Sequence, residues 1–177
     1  MSNKFLKTMS FFDDLSMYKR EKIFAQGFWA LQIYRFGHIR YKFSTKIIRY
    51  PLGIVHILLN KISEILFGIT IGVEAKIGKR LVIEHFGAIV IHGKTVIGDD
   101  CIIRQGVTIG NKTMNNPHDA PTLGNNVNVG AGAKILGKVI IGNNVDIGAN
   151  AVVINDVPDN YIAVGVPAKL INKSTMV

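Results

Sequence analysis

The chain has 177 residues, 48% hydrophobic and 19% charged, which fits one compact domain with a short accessory segment and excludes disordered and fibrous classes. Its 21 Lys and Arg against 12 Asp and Glu give a formal charge of +9. The excess is unevenly placed: residues 1–68 hold 11 basic and 4 acidic residues, and 69–177 hold 10 and 8. Glycine divides the chain at the same point, with 4 of 18 up to Gly68 and 14 beyond it. The single cysteine, Cys101, excludes an intramolecular disulfide, so a reducing, cytoplasmic setting is expected.

The N-terminal MSNKFLKTMSFFDDL has lysines but no apolar run of signal-peptide length before Asp13 and Asp14, so no export is expected. Helical spacing follows in two groups: Ile23, Trp29, Ile33 and Phe36, then Ile47, Leu52, Val55, Leu58, Leu59, Ile62 and Leu66, with Pro51 starting or bending the second helix. Leu52 to Ile71 is the most membrane-like stretch, yet His56, Lys61 and Glu64 interrupt it, which predicts a packed or interfacial helix. Residues 1–68 thus read as a helical cap in which His38 and His56 pack or hydrogen-bond. Its cations have two readings, a solvated face or a contact with an anionic polymer or the inner membrane surface. No nucleic-acid partner is expected.

From residue 69 an aliphatic residue recurs every six positions: Ile71, Ile77, Ile83; Ile91, Ile97, Ile103, Ile109; Leu123, Val129, Ile135, Ile141, Ile147, Val153. Six of these form the same Ile-Gly dipeptide, and the position four beyond is usually small or β-branched, as at Ala75, Thr95, Val107, Ala133 and Ala151. This spacing predicts short strands with one inward side chain and tight corners. Three strands per coil and stacking about 4.8 Å apart make a parallel β-helix over residues 69–172, with 173–177 as a tail. Thirteen rungs amount to a little over four coils. The fold expectation is mainly β, with the helical cap over the first coil.

The ladder slips twice, by eight residues from Ile83 to Ile91 around Glu84-His85-Phe86-Gly87, and by fourteen from Ile109 to Leu123 around NKTMNNPHDAPT. Loops leaving a rigid repeat are favoured places for function, and both contain a histidine. An imidazole, whose reference pKa is about 6.5, suits proton acceptance near neutrality, which makes His85 a candidate base. A water-like hydroxyl lies roughly nine units higher, about 12 kcal/mol, so proton removal must accompany attack on an activated carbonyl such as a thioester. The alternative for His85 is a hydrogen-bonded corner residue. His118 in the long loop reads equally as a solvent-exposed residue or a substrate contact, His92 as a surface turn, and Cys101 as an inward filler. A metal site would need three converging imidazoles; the γ-class carbonic anhydrases share the repeat, but no His-x4-His pair occurs here, so no metal is expected.

The run IEHFGAIVIHGKTVIGDDCIIRQGVTIGNK from Ile83, with LGNNVNVGAGAKILGKVIIGNNVDIGANAVVINDVPDNYIAVGVPAKLI further on, resembles the serine acetyltransferase family, and more closely its exopolysaccharide-cluster relatives such as the colanic-acid acetyltransferases. The resemblance extends over roughly residues 25–172. It implies a left-handed β-helix, an acetyl-CoA-dependent O-acetyltransferase, and homotrimers with sites between adjacent prisms, with a dimer of trimers as the larger alternative. It implies His85 as general base with Glu84 the acidic residue before it. Ala131, Ala149, the Ile154–Asn155 corner and Lys169 are implied as the CoA-binding edge, and Gly110 and Gly130 permit close backbone approach there. Backbone amides near the 106–110 turn are candidates for holding the oxyanion.

Two positions depart from the family pattern. An Asp fifteen residues before the histidine and a His two after that Asp are replaced by Thr70 and Gly72, so the family's Asp–His dyad is not intact, and the Thr70 hydroxyl, Glu84 or a backbone carbonyl is left to orient the ring. The family's long loop carries Arg-His-Pro, whereas Pro117-His118-Asp119-Ala120-Pro121 offers no arginine for a serine carboxylate. The expected acceptor is therefore a saccharide hydroxyl in capsule, exopolysaccharide or O-antigen synthesis. L-serine is the alternative acceptor, and a non-catalytic hexapeptide scaffold the third reading.

Overall fold

A computed structural model describes residues 11–19 and 21–176. The stretch up to Ser10, part of the segment read for an export signal, and Val177 of the expected tail lie outside the described residues.

The cap contains α1 (Phe11–Met17), a 3-10 turn (Lys22–Phe24), α2 (Gln26–Ile39) and α3 (Lys46–Phe67). Gly68 ends α3 in the left-handed region (φ +62°), and β1 begins at Ile69. Helix α2 covers the open end of the first coil: Ala30, Leu31 and Tyr34 join the prism core, and the Tyr34 hydroxyl donates to the Ala75 carbonyl at 2.6 Å. Burial pushes the Tyr34 pKa up to about 12. The buried Asp14 carboxylate pairs with Arg35 at 2.5 Å, tying α1 to α2.

The cap departs from the sequence reading in two ways. Ile23 falls in the 3-10 turn and is exposed, as is Trp29, while α2 turns Phe28, Leu31 and Tyr34 inward. Of the two roles expected for Pro51, starting the helix is excluded: it sits inside α3, about one turn beyond the first residues.

The prism has three parallel faces. The first stacks β1 (Ile69–Ile71), β4 (Ile89–Ile91), β7 (Thr108–Gly110), β10 (Lys134–Leu136) and β13 (Val152–Val153). The second stacks β2 (Lys76–Ile77), β5 (Val96–Ile97), β8 (Thr122–Leu123) and β11 (Ile140–Ile141), extended by a bridge from Ile141 to Val157. The third stacks β3 (Val82–Glu84), β6 (Ile102–Arg104), β9 (Asn128–Val129), β12 (Asp146–Ile147) and β14 (Tyr161–Val164), and β15 (Lys169–Asn172) closes it antiparallel to β14. Lys173–Met176 form a 3-10 turn.

All thirteen ladder residues are buried, and Val157 and Ala163 add two rungs, completing five coils rather than a little over four. The register converts the slips into geometry. Ile69 pairs with Ile89 and Val82 with Ile102, so the first coil carries two extra residues; Val96 pairs with Thr122, so the long loop adds eight. Both insertions leave the stacking intact.

One corner is written in the sequence as Gly-Asp-Asp, Gly-Asn-Asn, Gly-Asn-Asn and Pro-Asp-Asn. Asp100, Asn126, Asn144 and Asn160 there have φ between 55° and 63°, a region that Asn and Asp tolerate better than most residues. Their neighbours form a ladder in which the Asp99 amide donates to Asn125 at 2.8 Å, Asn125 to Asn143 at 2.9 Å, and Asn143 to Asp159 at 2.7 Å.

Candidate active site

His85 follows β3 at the edge where the third face turns into the first. Its φ is +63°, uncommon for a residue with a Cβ, and its side chain is exposed. Successive coils place Gly106, Gly132 and Asn150 above it, linked by backbone bonds: Gly106 N–H to Gly87 C=O at 2.9 Å, Gly132 to Gln105 at 2.8 Å, and Asn150 to Ala131 at 2.8 Å. Ala131 and Ala149 therefore lie in the same column as His85. Gly130 is packed so closely that a Cβ would sit 2.6 Å from the Ala149 nitrogen. Lys169 is exposed at the top of this edge, paired across the β14–β15 hairpin with Val164.

Glu84 is the register partner of Arg104, and its carboxylate meets Arg104 Nε at 2.9 Å; Arg104 Nη1 also donates to Asn128 Oδ1 at 2.5 Å. Tyr18 accepts the Ile83 N–H at 2.9 Å, fixing the strand that delivers Glu84 and His85, and burial raises its pKa. Gly27 of α2 lies against the same strand, where a Cβ would stand 2.2 Å from the Ile83 carbonyl oxygen. Between cap and strand opens a cleft of about 380 Å³, lined among others by Tyr18, Lys19, Glu21, Gln26, Glu84 and His85. The cap thus reaches the histidine through Tyr18, Lys19, Glu21, Gln26 and Gly27. Lys134 adds a cation on this edge, donating to the Gly106 carbonyl at 2.5 Å and to Thr108 Oγ1 at 3.1 Å.

The remaining candidates occupy the opposite edge of the first face. His92 caps its own turn by accepting the Lys94 N–H at 3.1 Å, and Gly110 lies against it, 3.4 Å from a built Cβ to His92 Cβ. The loop from residue 111 to 121, with exposed His118, and the Ile154–Asn155 corner leave from this same edge. Lys94 here holds the Glu74 carboxyl below its usual pKa, with His118 and His92 contributing. The expected CoA-edge residues therefore divide: Gly130, Ala131, Ala149 and Lys169 stand with His85, and Gly110, Ile154 and Asn155 with His118. About 3.3 Å per extended residue makes the face between the two edges roughly 15–20 Å wide, beyond the reach of either side chain.

Thr70 sits mid-strand on that face, paired with Val90. Gly72 is fixed by packing, since a Cβ would lie 2.5 Å from both the nitrogen and Cα of Gly93 on the next coil. No side chain fits there without moving a backbone. Cys101 is fully buried, donates to the Gly124 carbonyl at 3.3 Å, and is pushed up to a pKa of about 11 by burial, so it is no nucleophile. Among the described residues no three His, Cys, Asp or Glu side chains converge into a metal site.

Arg104, Lys134, Tyr18 and Gly27 were not singled out by the sequence. Which outward residues become neighbours depends on coil length, and only the strand register supplies it.

A five-coil hexapeptide prism with a histidine at an inserted corner defines a class, the hexapeptide-repeat transferases, and residues 120–155 match the family model described as bacterial transferase hexapeptide (six repeats). The chain is 43% identical to a serine acetyltransferase of Helicobacter pylori strain J99 over 83% of this chain and 82% of the relative. It is 40% identical to the serine acetyltransferase of Synechococcus elongatus over 84% of this chain, and spans 58% of that relative's length. It is 46% identical to the putative colanic acid biosynthesis acetyltransferase WcaB of Escherichia coli K12 over 64% of this chain and 70% of the relative. The crystal structure of serine acetyltransferase in complex with coenzyme A from Brucella abortus superposes with a TM-score of 0.80 at 29% identity, covering 92% of this chain and 66% of that one. The chain belongs to the serine acetyltransferase family of hexapeptide-repeat acyltransferases.

Proposed function

We propose that the chain transfers acetyl from acetyl-CoA to a hydroxyl oxygen, with His85 as general base. The observation that carries this is the column formed by His85, Ala131, Ala149 and Lys169 along one prism edge, beside a cleft that the cap closes over Glu84 and His85. A pantetheine arm lying along the column would meet backbone rather than bulky side chains, and Lys134 or Lys169 would meet phosphate.

His85 takes the hydroxyl proton as the oxygen attacks the thioester carbon; the C–S bond then breaks and the thiolate recovers that proton from the imidazolium. The Glu84 carboxylate, one residue before His85, is held in place by Arg104. Since His85 and His118 occupy opposite edges of one face, a site using both needs a second copy of the chain, which supports a homotrimer.

The acceptor has two readings. L-serine, the alternative from the sequence, is the better supported by similarity, since the relatives matched over more than four-fifths of this chain are serine acetyltransferases. A saccharide hydroxyl, ranked first from the sequence, keeps support from the similarity to the colanic-acid acetyltransferase over 64% of this chain and from a loop whose only Lys or Arg is Lys112. A thiol-release assay with L-serine beside nucleotide sugars and oligosaccharides decides: saturable turnover on serine establishes the first, turnover confined to sugars the second. No CoA-induced thermal shift would leave only the non-catalytic scaffold.

A further inference from the structure

Helix α3 is built inside out. Its buried residues are Gly53, His56 and Ser63, and Gly37 of α2 packs so tightly on His56 that a Cβ there would lie 2.4 Å from Nε2. The Ser63 hydroxyl donates to the Ile69 carbonyl at 3.1 Å. The opposite face carries Ile47, Ile54, Leu58, Ile62 and Ile65, one helical stripe, with Ile47 82% and Ile65 79% exposed. At 1.5 Å per residue the helix runs about 33 Å. An exposed apolar face of that length marks an interaction surface.

Charge says what covers it. Arg40, Lys42, Lys46 and Arg49 cluster at the start of the helix among exposed Tyr41, Phe43 and Tyr50. A depression of about 300 Å³ between Arg40, Arg49, Tyr50, Gly53, Ile54 and Ile57 joins these cations to the apolar stripe. The one acid in α3, Glu64, is already paired with Lys61 at 2.5 Å. A second copy docking through this face would bring further cations and no free acid. A layer of phosphates above acyl chains satisfies both halves of the surface. The helix is long and apolar enough to cross a bilayer, but its inner face packs on α2, which itself covers the prism core, so lying flat is the placement that keeps the cap together.

We infer that α3 lies flat on a membrane containing anionic phospholipid, its isoleucine face in the headgroup–acyl boundary and Arg40, Lys42, Lys46 and Arg49 on the phosphates. The inference is independent of the acceptor. It is tested by flotation of the full chain with phosphatidylcholine vesicles, alone and mixed with phosphatidylglycerol. Binding is expected to the mixed vesicles only and to weaken with salt. The Ile54→Asp/Ile65→Asp variant should lose more than about tenfold in partitioning with unchanged melting temperature and CoA binding, and Lys42→Gln/Lys46→Gln should lose the preference for phosphatidylglycerol. Equal flotation of wild type and the isoleucine variant would overturn the inference. So would wild type that ignores both vesicles but forms an oligomer which the isoleucine variant dissociates, since a second copy would then be the cover.

Discussion

Arg104 Nε stands 2.9 Å from Glu84 Oε2 on the next coil, one residue along the chain from His85. The pair is partly exposed, at 31% and 41%, so it contributes no more than about 1 kcal/mol to stability. Its value lies in holding the Glu84 carboxylate at one place beside the histidine corner. Arg104→Gln should lower kcat by roughly threefold to tenfold while the KM for acetyl-CoA and the unfolding midpoint stay within error. A change in KM alone would assign the arginine to binding instead.

His85→Ala should lower kcat by about 10²- to 10⁴-fold, the range for removing a general base. CoA binding by calorimetry should persist, because the column of Ala131 and Ala149 is backbone-built and does not depend on the ring. Turnover close to wild type would remove the mechanism.

Gly27→Ala tests the seam between cap and site. A Cβ at that position meets the Ile83 oxygen at 2.2 Å and Ile83 Cβ at 2.7 Å, and both belong to rigid elements. Helix α2 must lift from β3, at a cost of about 2 kcal/mol or more in urea unfolding. Because the Tyr18 bond to Ile83 lies in the same seam, turnover should fall along with stability.

The prism was legible because its physics is local: each hexad needs one inward aliphatic and one tight corner, and both leave a mark in the chain. The first slip, around Glu84-His85, was legible for the same reason, since an insertion is visible only against a strict period. The cap was not. Periodicity finds the apolar stripe of α3 but does not say whether it packs or lies at an interface; the helix buries Gly53, His56 and Ser63 instead, His56 against Gly37 of α2 and Ser63 bonded to the Ile69 carbonyl. Lys134 and Arg104 were equally hidden, since a cation on an outward strand position looks like a solvated one until the register supplies Gly106 and Glu84 as its neighbours.

Cys101 fills the coil interior, with its thiol pKa raised to about 11 by burial. At neutral pH almost none is thiolate, and no path leads a reagent to it. Ellman's reagent should label it only after denaturant is added, and acetyl transfer should survive prolonged iodoacetamide treatment. Rapid labelling of the native chain would mean that the coil opens locally.

The two cap histidines make stability depend on pH. His38 and His56 are lowered below 6.5, first by burial and then by the charge of Arg40, with Arg35 adding at His38 and a backbone bond near Val73 partly opposing it. The Tyr34 ring lies 4.8 Å and the Tyr41 ring 6.0 Å from the His38 ring, so the surroundings are aromatic and basic, and among the described residues no carboxylate acts on either histidine. A histidine whose folded pKa is depressed binds fewer protons folded than unfolded below 6.5. Stability is therefore fully present above that pH and is lost as pH falls through the depressed values. The urea midpoint should decline between about pH 6.5 and pH 5, before most carboxylates titrate. The His38→Gln/His56→Gln variant should be less stable at neutral pH yet show a flatter slope over that window. An unchanged slope would place the pH dependence elsewhere in the chain.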